Sequence, residues 1–181
     1  MVLFMTLQVD NTTVEYLLQE ITDGSTAALE QLYRKTDRAV YAYALSILRN
    51  AQDAEDVLQE CFIRIFRSAA FYHDDGKPMA WILTIAKNLC MDLLRSRNRI
   101  TDLPDDVWLN LAAPQTTHED RLVLNACMQA LSDKERQIVV LHAVAGFKHR
   151  QIAEFMDMSL TGVLSKYHRA IQKMKRRVQE Q

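Results

Sequence analysis

Thr84, Asn88, Met91 and Arg95 are spaced at i, i+4, i+7 and i+11, so a helix through them would carry all four on one face, with Lys87 beside it. Arg97 and Arg99 extend the positive charge in "RSRNR". An amide both donates and accepts hydrogen bonds, and a guanidinium grips phosphate with a two-pronged fork. The set therefore suits a polyanion. A second set, Ser165, Lys166, Arg169 and Lys173, offers donors to phosphates and base acceptors. On pattern alone, either set could instead be a solvated basic helix face, because cations near a helix C-terminus are favourable without any ligand.

The charge distribution separates these readings from the overall composition. The 181 residues carry a formal net charge of only −1. From Arg121 to the end there are eleven Lys or Arg against five Asp or Glu, a difference of +6, whereas Ile100 to Asp120 holds five acidic residues and no Lys or Arg. Such asymmetry points to nucleic-acid or membrane contact in the basic part. Catalytic chemistry finds no support. His73, His118, His142, His149 and His168 do not pair with carboxylates at ligand spacing, and there is no phosphate-binding glycine loop or nucleophile motif. Cys61, Cys90 and Cys127 are odd in number, widely spaced and set in apolar helical patterns. No metal and no cofactor is expected, and the cysteines read as small buried hydrophobes in a reducing cytoplasm. The opening "MVLFMTLQVD" lacks a basic leader and is too short to span a bilayer, so no direct membrane insertion is expected.

Helices must position these residues. Four glycines and three prolines are few for this length, and the runs of Leu, Ala, Gln, Glu and Arg favour helix. The expected class is all-α: two small helical domains, 12–99 and 121–181, joined by an acidic linker, 100–120. In "STAALEQLYRKTDRAVYAYALSILR" the pattern fits one long helix or two. In "DAEDVLQECFIRIFRSA", Val57, Cys61, Ile65 and Ala69 make one buried row and Leu58, Phe62 and Phe66 the next, with Asp53 as a cap. "FYHDDGKP" reads as a loop, and Ile82, Ile85, Ala86, Leu89 and Leu93 give the helix from Trp81 its inward face, with Trp81 itself packing. Within 100–120 the only element expected is a short turn around "DDVWLNL". Ser132 and Glu135 form a capping-box pattern, and Gly146 ends that helix. A short helix with Ile152, Ala153 and Met156 inward, a tight turn, and a basic helix with Val163, Tyr167, Ala170, Ile171 and Met174 inward complete a helix-turn-helix.

These motifs in this order resemble a bacterial RNA polymerase sigma factor of the extracytoplasmic-function class. The resemblance rests on "DAEDVLQECFIRIFR", "AWILTIAKNLCMDLLRSRNR" and "LSDKERQIVVLHAVAGFKHRQIAEFMDMSLTGVLSKYHRA", and runs from about residue 29 to 178. It implies a sigma factor that brings core polymerase to promoters by reading the −35 duplex and opening the −10 element. Asp53, Asp56, Gln59, Glu60 and Arg64 would meet the clamp coiled coil. Phe71, Tyr72, His73, Lys87, Asn88, Arg95, Arg97 and Arg99 would bind the −10 element, with the "FYHDDGKP" loop receiving an extruded base. Lys148, Thr161, Ser165, Lys166, Arg169 and Lys173 would bind the −35 element, and the same unit would touch the polymerase flap. The linker would thread toward the RNA exit path, and an anti-sigma partner is expected. Gln151 stands where relatives often have Glu, and Thr161-Gly162 where they often have Gly-Thr. The competing reading is a stand-alone helix-turn-helix regulator with an N-terminal sensor or dimerisation domain, which would not need the two N-terminal motifs.

Overall fold

Side-chain oxygens placed just ahead of apolar runs start the helices. The structure is a computed structural model that describes residues 10–73, 76–97, 108 and 117–179. Asp10 opens α1 (Asn11–Thr22) by accepting from the Thr12 amide at 3.2 Å, and Ser25 opens α2 (Thr26–Leu48) by accepting from the Ala28 amide at 3.2 Å. Each bond satisfies one of the orphan donors at a helix start. α2 is one helix, and Arg49 ends it in the left-handed region at φ 55°. Asn50, rather than Asp53, caps α3 (Ala51–Ser68), its side chain accepting from the Asp53 amide at 3.0 Å. A 3₁₀ turn, Ala69–Phe71, leads to α4 (Pro78–Arg97).

The first unit packs α1, α3 and α4 around α2. Along Ala39, Val40, Ala42, Tyr43, Ala44 and Leu45 almost every side of α2 is buried, and the alanines let neighbouring helices approach closely. Val57, Leu58, Cys61, Phe62, Ile65 and Ala69 are buried as the two-row pattern predicts, but Phe66 is not. At 42 % exposure it lies with Ile63 on the outer side of α3. A stripe two rows wide leaves its last wide-angle member uncovered once α2 and α4 close over the others.

The second unit holds α5 (His118–Gln129), α6 (Asp133–Ala143), α7 (His149–Phe155) and α8 (Leu160–Gln179), with α8 packed against the other three. Thr117 with Asp120, and Ser132 with Glu135, form reciprocal capping boxes at the starts of α5 and α6. Gly146 follows α6 at φ 75°, the left-handed turn that glycine adopts without strain. Trp108, assigned by sequence to the linker, is 1 % exposed within this unit.

All three cysteines are free and buried. Burial pushes the Cys61 and Cys90 thiols up to about 12 and raises that of Cys127 as well. Among the described residues no strand forms, no cluster of three metal-ligating side chains occurs, and no helix is long and apolar enough to cross a membrane.

Candidate nucleic-acid interfaces and docking face

α4 separates its residues by burial as its spacing predicts. Ile82, Ala86 and Leu89 are buried and Ile85 and Leu93 half-buried, while Thr84, Asn88, Met91 and Arg95 are exposed. Lys87 is half-buried at the edge of that face. Arg95 is tied back along the helix, donating to the Met91 carbonyl and pairing with Asp92 at 3.1 Å, an exposed pair worth little in water. Arg99 and the Arg97 side chain lie outside the described residues.

The loop before α4 divides its aromatic residues between structure and surface. Tyr72 donates its hydroxyl to Glu15 of α1 at 3.2 Å, and its ring lies 5.4 Å from that of Trp81, tilted by 58°. Trp81 is thus half-buried and packs, as expected. Phe71 points outward, 75 % exposed, and His73 is also exposed. Behind the loop, a cleft of about 450 Å³ opens between α1 and the 3₁₀ turn, lined by Glu15, Tyr16, Gln19 and Tyr72 among others. Rings for stacking and amide or carboxylate edges for hydrogen bonding suit a planar, unpaired base.

On α3, Asp56, Gln59 and Arg64 are exposed, and Glu60 pairs with Arg64 at 3.1 Å one turn on. Asp53 leaves this set. It is only 7 % exposed in the first turn of α3, so its carboxylate serves the helix start rather than an outer face. Ile63 and Phe66 add an apolar strip that the row pattern alone would place partly in the core.

In the second unit, α7, a tight turn and α8 form the helix-turn-helix. Asp157 takes φ 52° in the turn, and the Met158 amide donates back to the Ala153 carbonyl at 2.9 Å. Gly162 has a local reason. Ser159 caps α8 by accepting from the Gly162 amide at 3.1 Å, and a Cβ on Gly162 would come within 3.0 Å of that hydroxyl. The residue lost as a helix former thus permits a close cap. Lys148, Thr161, Ser165 and Arg169 are exposed and Lys166 is half-buried. Lys173 also reaches inward. Its ammonium donates to Glu135 at 2.7 Å, and that carboxylate is 5 % exposed, so Lys173 ties α8 to α6 while its own side chain stays 44% exposed. Burial alone would raise the Glu135 pKa, but the hydrogen bonds from Lys173 and Ser132 outweigh it and hold the carboxyl below its ordinary range.

Sequence reasoning missed what holds this unit together. His142 of α6, His149 of α7 and Tyr167 of α8 form a three-ring cluster, with centroids 4.4, 4.6 and 5.0 Å apart. The His142 Nδ1 lies 2.8 Å from the Phe147 carbonyl, and the buried Nε2 of His149 has no hydrogen-bond partner among the described residues. Burial, then the neighbouring His142, lowers the His149 pKa. The unfolded chain therefore binds the proton more readily, so stability present above the ordinary histidine pKa, about 6.5, is lost as pH falls below it. The midpoint of thermal unfolding should drop between pH 7.5 and 5.5, and His149→Phe should flatten that slope. An equally steep profile in the variant would remove His149 as its cause.

Comparison with known proteins agrees with this division. The family model described as Sigma-70 region 2 matches residues 32–100, and that described as Sigma-70, region 4 matches residues 121–174. An ECF RNA polymerase sigma factor SigK from Mycobacterium sp. (strain KMS) is 26% identical over 173 residues, covering 91% of this chain and 90% of the relative. The ECF RNA polymerase sigma factor SigE of Mycolicibacterium smegmatis is 34% identical over 163 residues, covering 84% of this chain and 63% of the relative. Among solved structures, RpoE of Bartonella quintana, in complex with the anti-sigma factor NepR, aligns with a TM-score of 0.69 at 18% identity over 83% of this chain and 96% of that one. CnrH, in complex with the cytosolic domain of CnrY, aligns with a TM-score of 0.66 at 20% identity over 93% of this chain and 98% of that one. At these identities the structural likeness bears on the fold.

Proposed function

The chain belongs to the sigma-70 family, as an RNA polymerase sigma factor of the extracytoplasmic-function class, and from that premise we propose how its two units share the work. It directs core RNA polymerase to specific promoters and starts transcription there. Two family matches in the order region 2 then region 4, each falling on a unit with a polar outer face, carry the conclusion. The stand-alone regulator loses ground for the same reason, since a sensor domain would not match region 2. Its partners are core polymerase, promoter DNA and an anti-sigma factor. We place its action in the cytoplasm and assign it no catalytic step of its own.

In the first unit, Asp56, Gln59, Glu60 and Arg64 of α3 meet the polymerase clamp, and the exposed Ile63 and Phe66 between them supply apolar contact. Asn88, Lys87 and Arg95, with Arg97 and Arg99, face the −10 element. Phe71 and His73 flank Tyr72, which helps to line the cleft where an extruded base would be received. Unstacking a base costs a few kcal/mol, and stacking on an aromatic ring returns about 1–3 kcal/mol, so capture of the base offsets much of the cost of opening, and no nucleotide hydrolysis is invoked. In the second unit, Lys148, Thr161, Ser165, Lys166 and Arg169 face the −35 duplex, with Lys173 at the edge of the set where it also pairs with Glu135. The segment 100–120 runs toward the RNA exit path, and the flap is met by the second unit.

Run-off transcription with core polymerase on promoter fragments tests this reading. Specific transcripts are expected only when the chain is present, and tight duplex binding by the chain alone without any transcript would favour the regulator instead. Lys166→Ala combined with Arg169→Ala should weaken −35 affinity and lower the slope of log affinity against log salt by about 2, close to one for each phosphate no longer neutralised. An unchanged slope would mean that α8 faces away from DNA.

A further inference from the structure

Along the first nine residues of α8, five are exposed: Leu160, Thr161, Leu164, Ser165 and His168. Their spacing, i, i+1, i+4, i+5 and i+8, puts them on one outer face, turned away from the buried Val163 and Ala170. Two of the five are leucines, Leu160 at 43% and Leu164 at 44% exposure. A single exposed leucine is ordinary on a protein surface. This pair, however, stands at the start of the second helix of a helix-turn-helix, the end that meets base edges in the major groove. The Ser159 hydroxyl fixes that end by accepting from the Gly162 amide at 3.1 Å. Lys166 and Arg169 border the face, and the Arg169 Nε donates to the Ser165 carbonyl at 3.4 Å, which folds its side chain back toward the same turns. An apolar spot with hydroxyls and cations around it matches a duplex better than an apolar protein surface, because the cations gain phosphates as partners.

The major groove leaves a leucine few partners. Every base pair shows hydrogen-bond donors and acceptors there, and the one apolar group among them is the 5-methyl of thymine. A leucine pressed onto a donor or acceptor strips it of water and returns no hydrogen bond. Pressed onto the methyl group, it removes apolar surface from water on both sides.

We propose that Leu164 is a specificity-determining residue for the −35 element, packing on the 5-methyl group of one thymine and so requiring an A·T pair at that position. This role rests on the sigma-factor reading and on α8 facing the duplex. Leu160, one turn nearer the helix start, extends the same apolar surface and keeps water from the contact. The polar neighbours read and hold the adjoining positions, so Leu164 supplies selectivity that their hydrogen bonds cannot.

Deoxyuridine tests this directly, because it differs from thymidine only in lacking that methyl group. Holoenzyme assembled from core polymerase and the full chain first selects binding sequences from promoter fragments with a randomised −35 element. Each thymine of the selected element is then replaced in turn by deoxyuridine. At one position the unsubstituted chain should lose about fourfold in affinity, the effect of one buried methyl-sized group. Leu164→Ala should bind the thymine and uracil fragments alike at that position. Its site is exposed and alanine is the better helix former, so the fold is retained. The comparison of the two fragments with the unsubstituted chain needs no variant at all. Equal binding of both fragments at every position would overturn the proposal, as would a selected element with no thymine on either strand. A methyl effect that survives Leu164→Ala in full would overturn it too. So would a variant that binds more weakly while keeping the same thymine-to-uracil ratio, since Leu164 would then be packing on polymerase. Run-off transcription from the selected promoter reports on the underlying reading separately. No enriched −35 sequence and no transcript would remove that reading and this role with it, whereas normal transcripts without any methyl effect would remove only the role of Leu164.

Discussion

Arg136→Ala is expected to unfold the α5–α8 unit well below the melting temperature of the intact protein while α1–α4 stay folded. The guanidinium is 2 % exposed and serves two main-chain carbonyls, those of Met128 and Leu131, at the turn between α5 and α6. Removing it leaves both acceptors buried, at about 1–3 kcal/mol each. Its ion pair with Asp133 adds little, since that carboxylate is 64% exposed and is re-solvated when the arginine goes. A loss of about 2–5 kcal/mol is a large part of what a unit of about 70 residues possesses. At roughly 4–8 °C per kcal/mol the midpoint should fall by about 8 °C or more. Arg136→Lys should rescue little, because a single ammonium cannot reproduce the fork. Thermal unfolding of the full chain followed by circular dichroism would reveal the early transition. A midpoint within about 2 °C of the parent would show that water replaces the guanidinium without penalty.

Asn88→Ala should reduce discrimination between matched and mismatched −10 sequences by about 5- to 150-fold, the loss expected when one good side-chain-to-base pairing, about 1–3 kcal/mol, is removed. Asn88 is exposed in the middle of α4, and alanine is the better helix former, so the substitution should leave the fold intact or slightly more stable. Polymerase binding through α3 should hardly change. Open-complex yields on matched and mismatched templates decide the matter. If the ratio of the two yields is the same for both proteins, Asn88 has no part in reading the −10 element.

What could be read from the sequence was what repeats. The period of about 3.6 residues placed Ile82, Ala86 and Leu89 inside and Asn88 outside because burial follows helical geometry directly. The capping box at Ser132 was visible because its two members are three residues apart. The features that escaped are long-range. Trp108 meets Asn125 and Arg136 across 17 and 28 residues, and Lys173 finds Glu135 across 38, so neither spacing nor composition signals them. Phe66 and Asp53 were misjudged in opposite senses for one reason: a helical stripe says which residues are neighbours, not how far the surrounding helices extend over them. The exposed −10 and −35 sets were legible only as charge at helical spacing, and their assignment to promoter elements came from the order of motifs rather than from any single residue.

The burial of the three thiols has a consequence for signalling. Oxidants attack the thiolate, and burial pushes the Cys61 and Cys90 thiols up to about 12, which keeps them protonated near neutral pH. Peroxide and disulfide stress therefore have almost no purchase on these two side chains, and Cys127 is shielded in the same sense. If this sigma factor answers an oxidising environment, Cys61 and Cys90 of the folded chain are poor places for the chemical event to be registered.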